Sequence, residues 1–220
     1  MDRFDAESPA IGVLGGTFDP VHFGHLRPAL EVMQQLNLEQ MRLIPSSIPP
    51  HRQQPIASAK QRHQMLELAI KGLQGFVVDD RELHRSGPSY SVDTLRSLRE
   101  QFPDNPLFFL VGSDAFQSIH SWSRWTELLT LAHLVVMQRP QQPGRLPDEL
   151  DSWYHTHLAN AADRSRAAGK IWPLTVTQMA VSATQIRRCF AEQRSARFLM
   201  PEVVISLIEQ LGLYPSESSV

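Results

Sequence analysis

Residues 15 to 25 read GGTFDPVHFGH, directly after the apolar run Ile11 to Leu14. Three chemistries suit the two imidazoles of His22 and His25. As core histidines satisfied by hydrogen bonds they need no ligand. As metal ligands at i, i+3 they would share one helical face. A zinc site takes a third protein ligand, however, and no Cys or Glu sits at a zincin spacing such as HExxH. His155 and His157 are distant in the chain. The third chemistry is phosphate binding. Glycines let backbone approach an anion closely, and a following helix aims free N–H groups and a partial positive charge at it. Imidazole N–H donors at that terminus add hydrogen bonds that strengthen as charge builds on phosphate. The loop is not GxGxxG, and no GxxxxGK[ST] occurs anywhere in the chain. A phosphate site here would use histidine where other loops use lysine.

The elements that must position these residues follow from the hydrophobic pattern. Compact apolar runs, as expected of strands covered on both faces, lie near Ile11 to Leu14, Met41 to Ile44, Phe76 to Asp79, Leu107 to Val111, Leu134 to Met137 and Ile171 to Val176. Helical spacing lies between them. In ASAKQRHQMLELAIKGL, Met65, Leu66, Ala69 and Ile70 share a face, and Ser58 with Gln61 forms a capping box. In YSVDTLRSLREQF the face is Val92, Leu95, Leu98 and Phe102. The chain closes with MPEVVISLIEQLGLY, with proline at the first helical position and Gly212 as a stop. Alternating strand and helix predicts an α/β fold: a doubly wound, Rossmann-like parallel sheet with helices on both faces and a small helical C-terminal part at 182–213. Ligands of such sheets bind beyond the carboxyl ends of the strands, where GGTFDPVHFGH falls.

At 220 residues one domain, 10–215, is expected, with a flexible extension at 1–9 and a flexible tail at 216–220. Residues 141–168 are polar and weakly patterned and read as an insertion or excursion. The formal charge of -2 offers no basic excess to suggest nucleic acid. The longest apolar run, Leu107 to Val111, is far short of the roughly 20 residues that span a bilayer. The start MDRFDAESPA lacks the pattern of a signal peptide. Cys189 is the single cysteine, which excludes an internal disulfide and points to a reducing cytoplasm. Its setting, IRRCFAE, suggests the inner face of a helix rather than a nucleophile.

The segment HFGH, Gly24 included, resembles the HxGH signature of the nucleotidyltransferases that share an ancestral fold with class I aminoacyl-tRNA synthetases. VSATQIRRCF, Val181 to Phe190, is similar to the ISxTxIR signature of the same superfamily. Its chemistry suits an anion, because Ser182 and Thr184 can cap a helix that Arg187 follows; plain capping with an exposed arginine is the simpler alternative. Within the superfamily the chain from Ile11 to Tyr214 resembles bacterial nicotinate-nucleotide adenylyltransferases. Besides the two signatures, PPHR (to Arg52), RSGPSYSVDTL (from Arg85), FLVGSDAF (from Phe109), SWSRW (from Ser121) and VVMQRP (from Val135) follow the order of the family motifs.

That resemblance implies transfer of AMP from ATP to nicotinate mononucleotide, giving deamido-NAD and pyrophosphate in NAD biosynthesis. It implies catalytic roles for His22 and His25. It implies an ATP site of Gly15, Gly16, Thr17, Phe18, Gly24, Gly112, Asp114, Arg139, Ser182, Thr184 and Arg187. The mononucleotide would meet Asp19, His51, Arg52, the turn Gly87-Pro88-Ser89-Tyr90 with its backbone N–H groups, and Trp122 as a stacking platform. Mg²⁺ is implied as the cofactor, held mainly by ATP phosphates and not by protein side chains. The implied partners are small molecules, neither nucleic acid nor membrane, and the oligomeric state stays open. Position 123 is Ser where relatives carry an aromatic such as tyrosine, a departure at the carboxylate side of the pyridine ring. An adenylyltransferase for nicotinamide mononucleotide or another phosphate such as phosphopantetheine is the second reading. A nucleotide-binding regulatory module is the non-enzymatic one.

Overall fold

A computed structural model describes residues 9–48, 54–138 and 146–216. Six strands form one sheet in the order β3-β2-β1-β4-β5-β6, every neighbouring pair parallel. They are β1 (Ile11–Gly16), β2 (Gln40–Pro45), β3 (Phe76–Val78), β4 (Leu107–Gly112), β5 (His133–Gln138) and β6 (Ile171–Thr175). All six apolar runs expected from the sequence are therefore strands. The chain winds outward from β1 in one direction through β3 and in the other through β6. The order reverses between β1 and β4, and in sheets of this kind ligands bind outside the carboxyl ends of the strands at such a reversal.

Residue alternation along the strands feeds two cores. Leu14, Leu43, Phe108, Leu110, Val135 and Met137 face one side, and Val13, Ile44, Leu107, Phe109, Val111, Leu134 and Val136 the other. The first face is covered by α1 (Phe23–Gln35), α2 (Ala59–Ala69), α7 (Ala183–Ala191) and α8 (Glu202–Gln210). The second is covered by α3 (Ser91–Gln101), the short α4 (Ser113–Gln117), α5 (Leu128–Leu131) and α6 (Asp148–Thr156). A strand with both sides buried has no polar face to show, which is why these runs read as continuous apolar stretches.

The expected capping box is present at the start of α2. Gln61 N–H donates to Ser58 Oγ (3.3 Å), and Ser58 N–H donates to Gln61 Oε1 (2.8 Å). Pro201 stands one position earlier than expected, as the residue before α8 rather than inside it, and Gly212 ends the chain's last turn at φ 59°. Cys189 is buried on the inner face of α7. The stretch read as an excursion carries α6, which packs Trp153 and Tyr154 around Phe116. Among the described residues no helix is long and apolar enough to cross a membrane.

Candidate active site

The loop after β1 is built to come close to something small. Phe18 takes a left-handed backbone (φ 51°), and its ring turns inward to 1% exposure. That ring lies under Gly16, where a Cβ would sit 3.0 Å from it. Gly15 has no such crowding and is exposed. His22, in extended conformation, is the residue that caps α1, and His25 stands one turn in. The two imidazoles stack at 3.7 Å between centroids, 26° apart, and the Phe18 ring meets His25 in a T-shaped contact at 5.0 Å between centroids. His22 N–H donates to His25 Nδ1 at 3.3 Å, which helps orient the second ring.

Gly24 is what lets the rings lie this way. A Cβ there would meet the His22 ring at 2.9 Å and the Val181 carbonyl oxygen at 3.2 Å. Burial lowers the His22 pKa to about 4, so the ring is neutral at pH 7 and serves as a hydrogen-bonding group rather than a cation. Its Nδ1 is buried without a partner, a cost that packing for stability alone would avoid.

The same contact joins the two signature stretches, which are far apart in the chain. Ser182 caps α7 by accepting from Gln185 N–H (3.2 Å), and Val181 just before it abuts the start of α1. Arg187 reaches back across the junction. Its Nη1 donates to the Asp19 carbonyl (2.8 Å) and its Nη2 to Thr184 Oγ1 (3.3 Å). Phe23 N–H, at the open end of α1, donates to the Leu199 carbonyl at 3.0 Å. The glycines, imidazoles, Ser182, Thr184 and Arg187 thus form one neighbourhood.

Two further groups shape this loop, and the sequence reading missed both. Arg62 of α2 is 1% exposed; its Nη1 donates to the Thr17 carbonyl (2.7 Å) and its Nε to the Ala57 carbonyl (3.2 Å). Asp19–Pro20 is the single cis bond among the described residues, so the Thr17–Phe18 peptide is trans. In a trans peptide the carbonyl and the N–H point oppositely. Drawing the Thr17 oxygen toward α2 therefore turns the Phe18 N–H away from it. The second group is Tyr214, 3% exposed, whose hydroxyl donates to Asp19 Oδ1 at 2.7 Å. Asp19 also accepts from Ile56 N–H (2.9 Å) and Ala57 N–H (3.1 Å), so its carboxylate is engaged within the protein. A signal for Arg62 existed: it stands at the inward position of the stripe that continues through Met65 and Leu66. Tyr214, 195 residues from Asp19, carried none.

The remaining expected residues fall into three groups. His51, Arg52 and Arg139 lie outside the described residues. Gly112 precedes α4 with open space where a Cβ would point, and Asp114 is exposed in the first turn of that helix, beyond the end of β4. Trp122 is half-buried, edge-on to Phe109 at 6.4 Å, whereas Trp125 packs on Trp153 at 4.9 Å. The turn from Gly87 to Tyr90 is anchored to the loop after β2. Ser89 N–H donates to the Ile48 carbonyl (2.9 Å) and Ser89 Oγ accepts from Ser47 N–H (2.9 Å). Tyr90 N–H donates to the Pro88 carbonyl at 3.2 Å, and Pro88 has no N–H. The expectation that this turn offers several amides to a carboxylate thus narrows to Gly87, which holds φ 88°.

Beyond the carboxyl end of β1, then, stand two stacked imidazoles, two abutting helix starts, two hydroxyls and a guanidinium. That donor set recognises phosphate oxygens. Among the described residues no three of His, Cys, Asp and Glu lie together as a metal site.

The chain is similar to known proteins. The model of the family described as cytidylyltransferase-like matches residues 13–189. Two relatives bear the name "Probable nicotinate-nucleotide adenylyltransferase". One, from Aeromonas salmonicida, is 48% identical over 94% of this chain and 98% of its own. The other, from Methylococcus capsulatus, is 46% identical over 93% and 99%. In fold the chain is similar to the Plasmodium falciparum nicotinic acid mononucleotide adenylyltransferase solved with APC, at TM-score 0.71 and 16% identity over 94% of this chain and 97% of that one. The same parasite protein solved with NaAD aligns at TM-score 0.71 and 15% identity over the same shares. Sequence identity at this level over nearly the whole length decides the matter: the chain belongs to the cytidylyltransferase-like family and, within it, to the nicotinate-nucleotide adenylyltransferases.

Proposed function

We propose that the neighbourhood of His22, His25 and Arg187 binds the triphosphate of ATP while a phosphate oxygen of nicotinate mononucleotide attacks its α-phosphorus. A new P–O bond forms on the side opposite the α–β bridging oxygen. The bond to that oxygen breaks, and its electron pair leaves with pyrophosphate. The mononucleotide phosphate is already a competent nucleophile at neutral pH, so no covalent enzyme intermediate is needed. The protein's work is to overcome repulsion between two polyanions, align them, and take up charge on the departing group.

His22 and His25 stand where they can hydrogen-bond oxygens at the reacting phosphorus, with Gly15 to Phe18 and Gly24 giving backbone room. Ser182, Thr184 and Arg187 take the β- and γ-phosphates. Gly112 and Asp114, beyond β4, take the adenosine ribose, and the family resemblance assigns Arg139 to the adenosine or its phosphates. Trp122 offers the half-buried ring face for the pyridine, Gly87 an amide for its carboxylate, and His51 with Arg52 the side-chain donors for the mononucleotide phosphate. Asp19 we assign to positioning, because its carboxylate is occupied by Ile56, Ala57 and Tyr214.

Magnesium fits this donor set only as a passenger on ATP. Amides, imidazoles and a guanidinium suit phosphate oxygens, whereas Mg²⁺ takes oxygen ligands that ATP and water supply. Bound there, it would neutralise phosphate charge.

The observation that carries the reading is the contact of the two signature stretches at Gly24 and Val181, reinforced by Arg187 on the Asp19 carbonyl. The test is pyrophosphate release from ATP with nicotinate mononucleotide, nicotinamide mononucleotide and phosphopantetheine in parallel. Nicotinate mononucleotide is expected to be the best acceptor. His22→Ala and His25→Ala should each lower kcat by on the order of 10²–10³ with the fold retained. Near-normal turnover in either variant refutes the roles given to the imidazoles.

A further inference from the structure

We propose that Asp19, locked by the Tyr214 hydroxyl, is a positioning residue that holds the ATP loop and the mononucleotide loop in register for in-line transfer. The inference rests on the reaction just described, and goes beyond it by assigning work to two residues that touch neither substrate.

Asp19 belongs to the loop between β1 and α1, on the ATP side. Two of the donors to its carboxylate are the amides of Ile56 and Ala57, the final residues before the cap of α2. These close the connection between β2 and α2. The opening of that same connection, Ser47 and Ile48, is bonded to Ser89 in the turn on the acceptor side. One stretch of chain is thus fastened at its far end to the ATP loop and at its near end to the acceptor turn. The far fastening depends on the direction in which the Asp19 side chain points.

That direction is fixed from two sides. Tyr214 comes from the C-terminal segment, donates to Oδ1, and is itself buried. Arg62 stands close enough for its charge to offset that of Asp19, and it binds the Thr17 and Ala57 carbonyls, one on each side of the junction. The surface ion pair of Arg188 with Glu192 joins residues four apart on one helix. This cluster instead joins four separate parts of the chain around the six residues between Gly15 and His22. Reaction requires donor and acceptor phosphates to be held within a few tenths of an ångström of the productive approach, and misplacement of about 1 Å can cost 10² in rate. Each substrate alone needs only its own loop. Loss of the fastening should therefore appear in turnover of the ternary complex and not in binary binding.

Two variants test this. Tyr214→Phe removes one hydroxyl and leaves the ring in place. Asp19→Asn keeps an acceptor at Oδ1 and sets an NH₂ against the Ile56 N–H. Both are measured for kcat with ATP and nicotinate mononucleotide, for Kd of each substrate alone by calorimetry, and for the thermal midpoint. Tyr214→Phe should lower kcat roughly tenfold and Asp19→Asn roughly a hundredfold, the ceiling for misplacement. Both binary Kd values should stay within about twofold at a temperature where the variants are folded. Should Asp19→Asn not fold, Tyr214→Phe decides alone. A lowered midpoint with unchanged kcat overturns the proposal, since the contact would then serve stability only. A rise in the binary Kd for ATP matching the loss of rate also overturns it, since the pair would then be part of the ATP site. Wild-type enzyme assayed alongside separates the premises. Wild type without pyridine nucleotide turnover removes the reaction and this proposal together, and active wild type beside an unaltered Tyr214→Phe removes the proposal alone.

Discussion

Gly24→Ala sets two physical rules against each other within one residue. Gly24 is the second residue of α1, and replacing glycine by alanine inside a helix ordinarily gains about 1 kcal/mol. The added methyl, however, would lie 2.9 Å from both Nδ1 and Cε1 of His22. Ordinary contact begins near 3.4 Å, so about 0.5 Å must be found. The methyl cannot retreat, because the Val181 carbonyl oxygen is 3.2 Å away. The His22 ring cannot yield freely either, being 5% exposed and stacked on His25. Overpacking of this kind costs about 1–3 kcal/mol, which offsets the helical gain. The more telling effect is on rate. A ring displaced by that amount carries its donor off the α-phosphate, and a loss of kcat on the order of 10²-fold follows, close to that of His22→Ala. The assay is pyrophosphate release under saturating ATP and nicotinate mononucleotide, with a thermal melt of the same sample. A variant that melts higher than wild type and turns over normally refutes the argument, because helix propensity would then have prevailed with no clash to oppose it.

Stability should fall in mild acid through His22. Its folded pKa of about 4 lies below the ordinary histidine value of about 6.5, so only the unfolded chain takes up a proton between those pH values. The contribution is complete above about pH 6.5 and is lost as pH falls toward 4; of it, about 2 kcal/mol should disappear between pH 6.5 and 5. Urea melts at pH 7 and pH 5 measure this. His22→Gln should reduce the difference, with His133, lowered by burial in the same sense, and Glu82, whose carboxyl burial raises in the opposite sense, common to both proteins. An equal pH slope in wild type and His22→Gln speaks against a buried neutral ring. Arg62→Met should cost about 3 kcal/mol in urea melts, because it leaves Asp19 buried without its counter-charge and two carbonyls without a donor. It should also raise KM for ATP, since the Thr17–Phe18 peptide is then free to turn its oxygen toward the phosphates. A variant within about 1 kcal/mol of wild type in stability and equal in KM contradicts that account.

The strands and the helix starts were legible because they depend on properties that sequence carries locally. An apolar run of five or six residues has few alternatives to a covered strand, and Ser58 with Gln61 or Ser182 before Ala183 caps a helix through atoms three residues apart. The two signatures were legible for a related reason: each gathers its glycines, imidazoles, hydroxyls or guanidinium within one short continuous stretch of chain. The structure added relations between distant segments, which composition and period do not encode. Helix α6 was hidden because its inward residues, Leu150, Trp153 and Tyr154, are too few to set a period, and gain meaning only against Phe116 and Trp125. Asp19 reads as a substrate ligand when only its neighbours His22 and His25 are visible. It reads as a brace once Ile56, Ala57 and Tyr214 are found around it. The amides of Ser89 and Tyr90 likewise look available until the Ile48 and Pro88 carbonyls claim them. In each case a group's capacity was evident from its type, and whether that capacity remained open to a ligand was decided by partners elsewhere in the chain. The division follows from chemistry: the groups that meet phosphate must come in a dense local array, whereas the groups that aim the array need only reach it, and can start from any element that the sheet brings near.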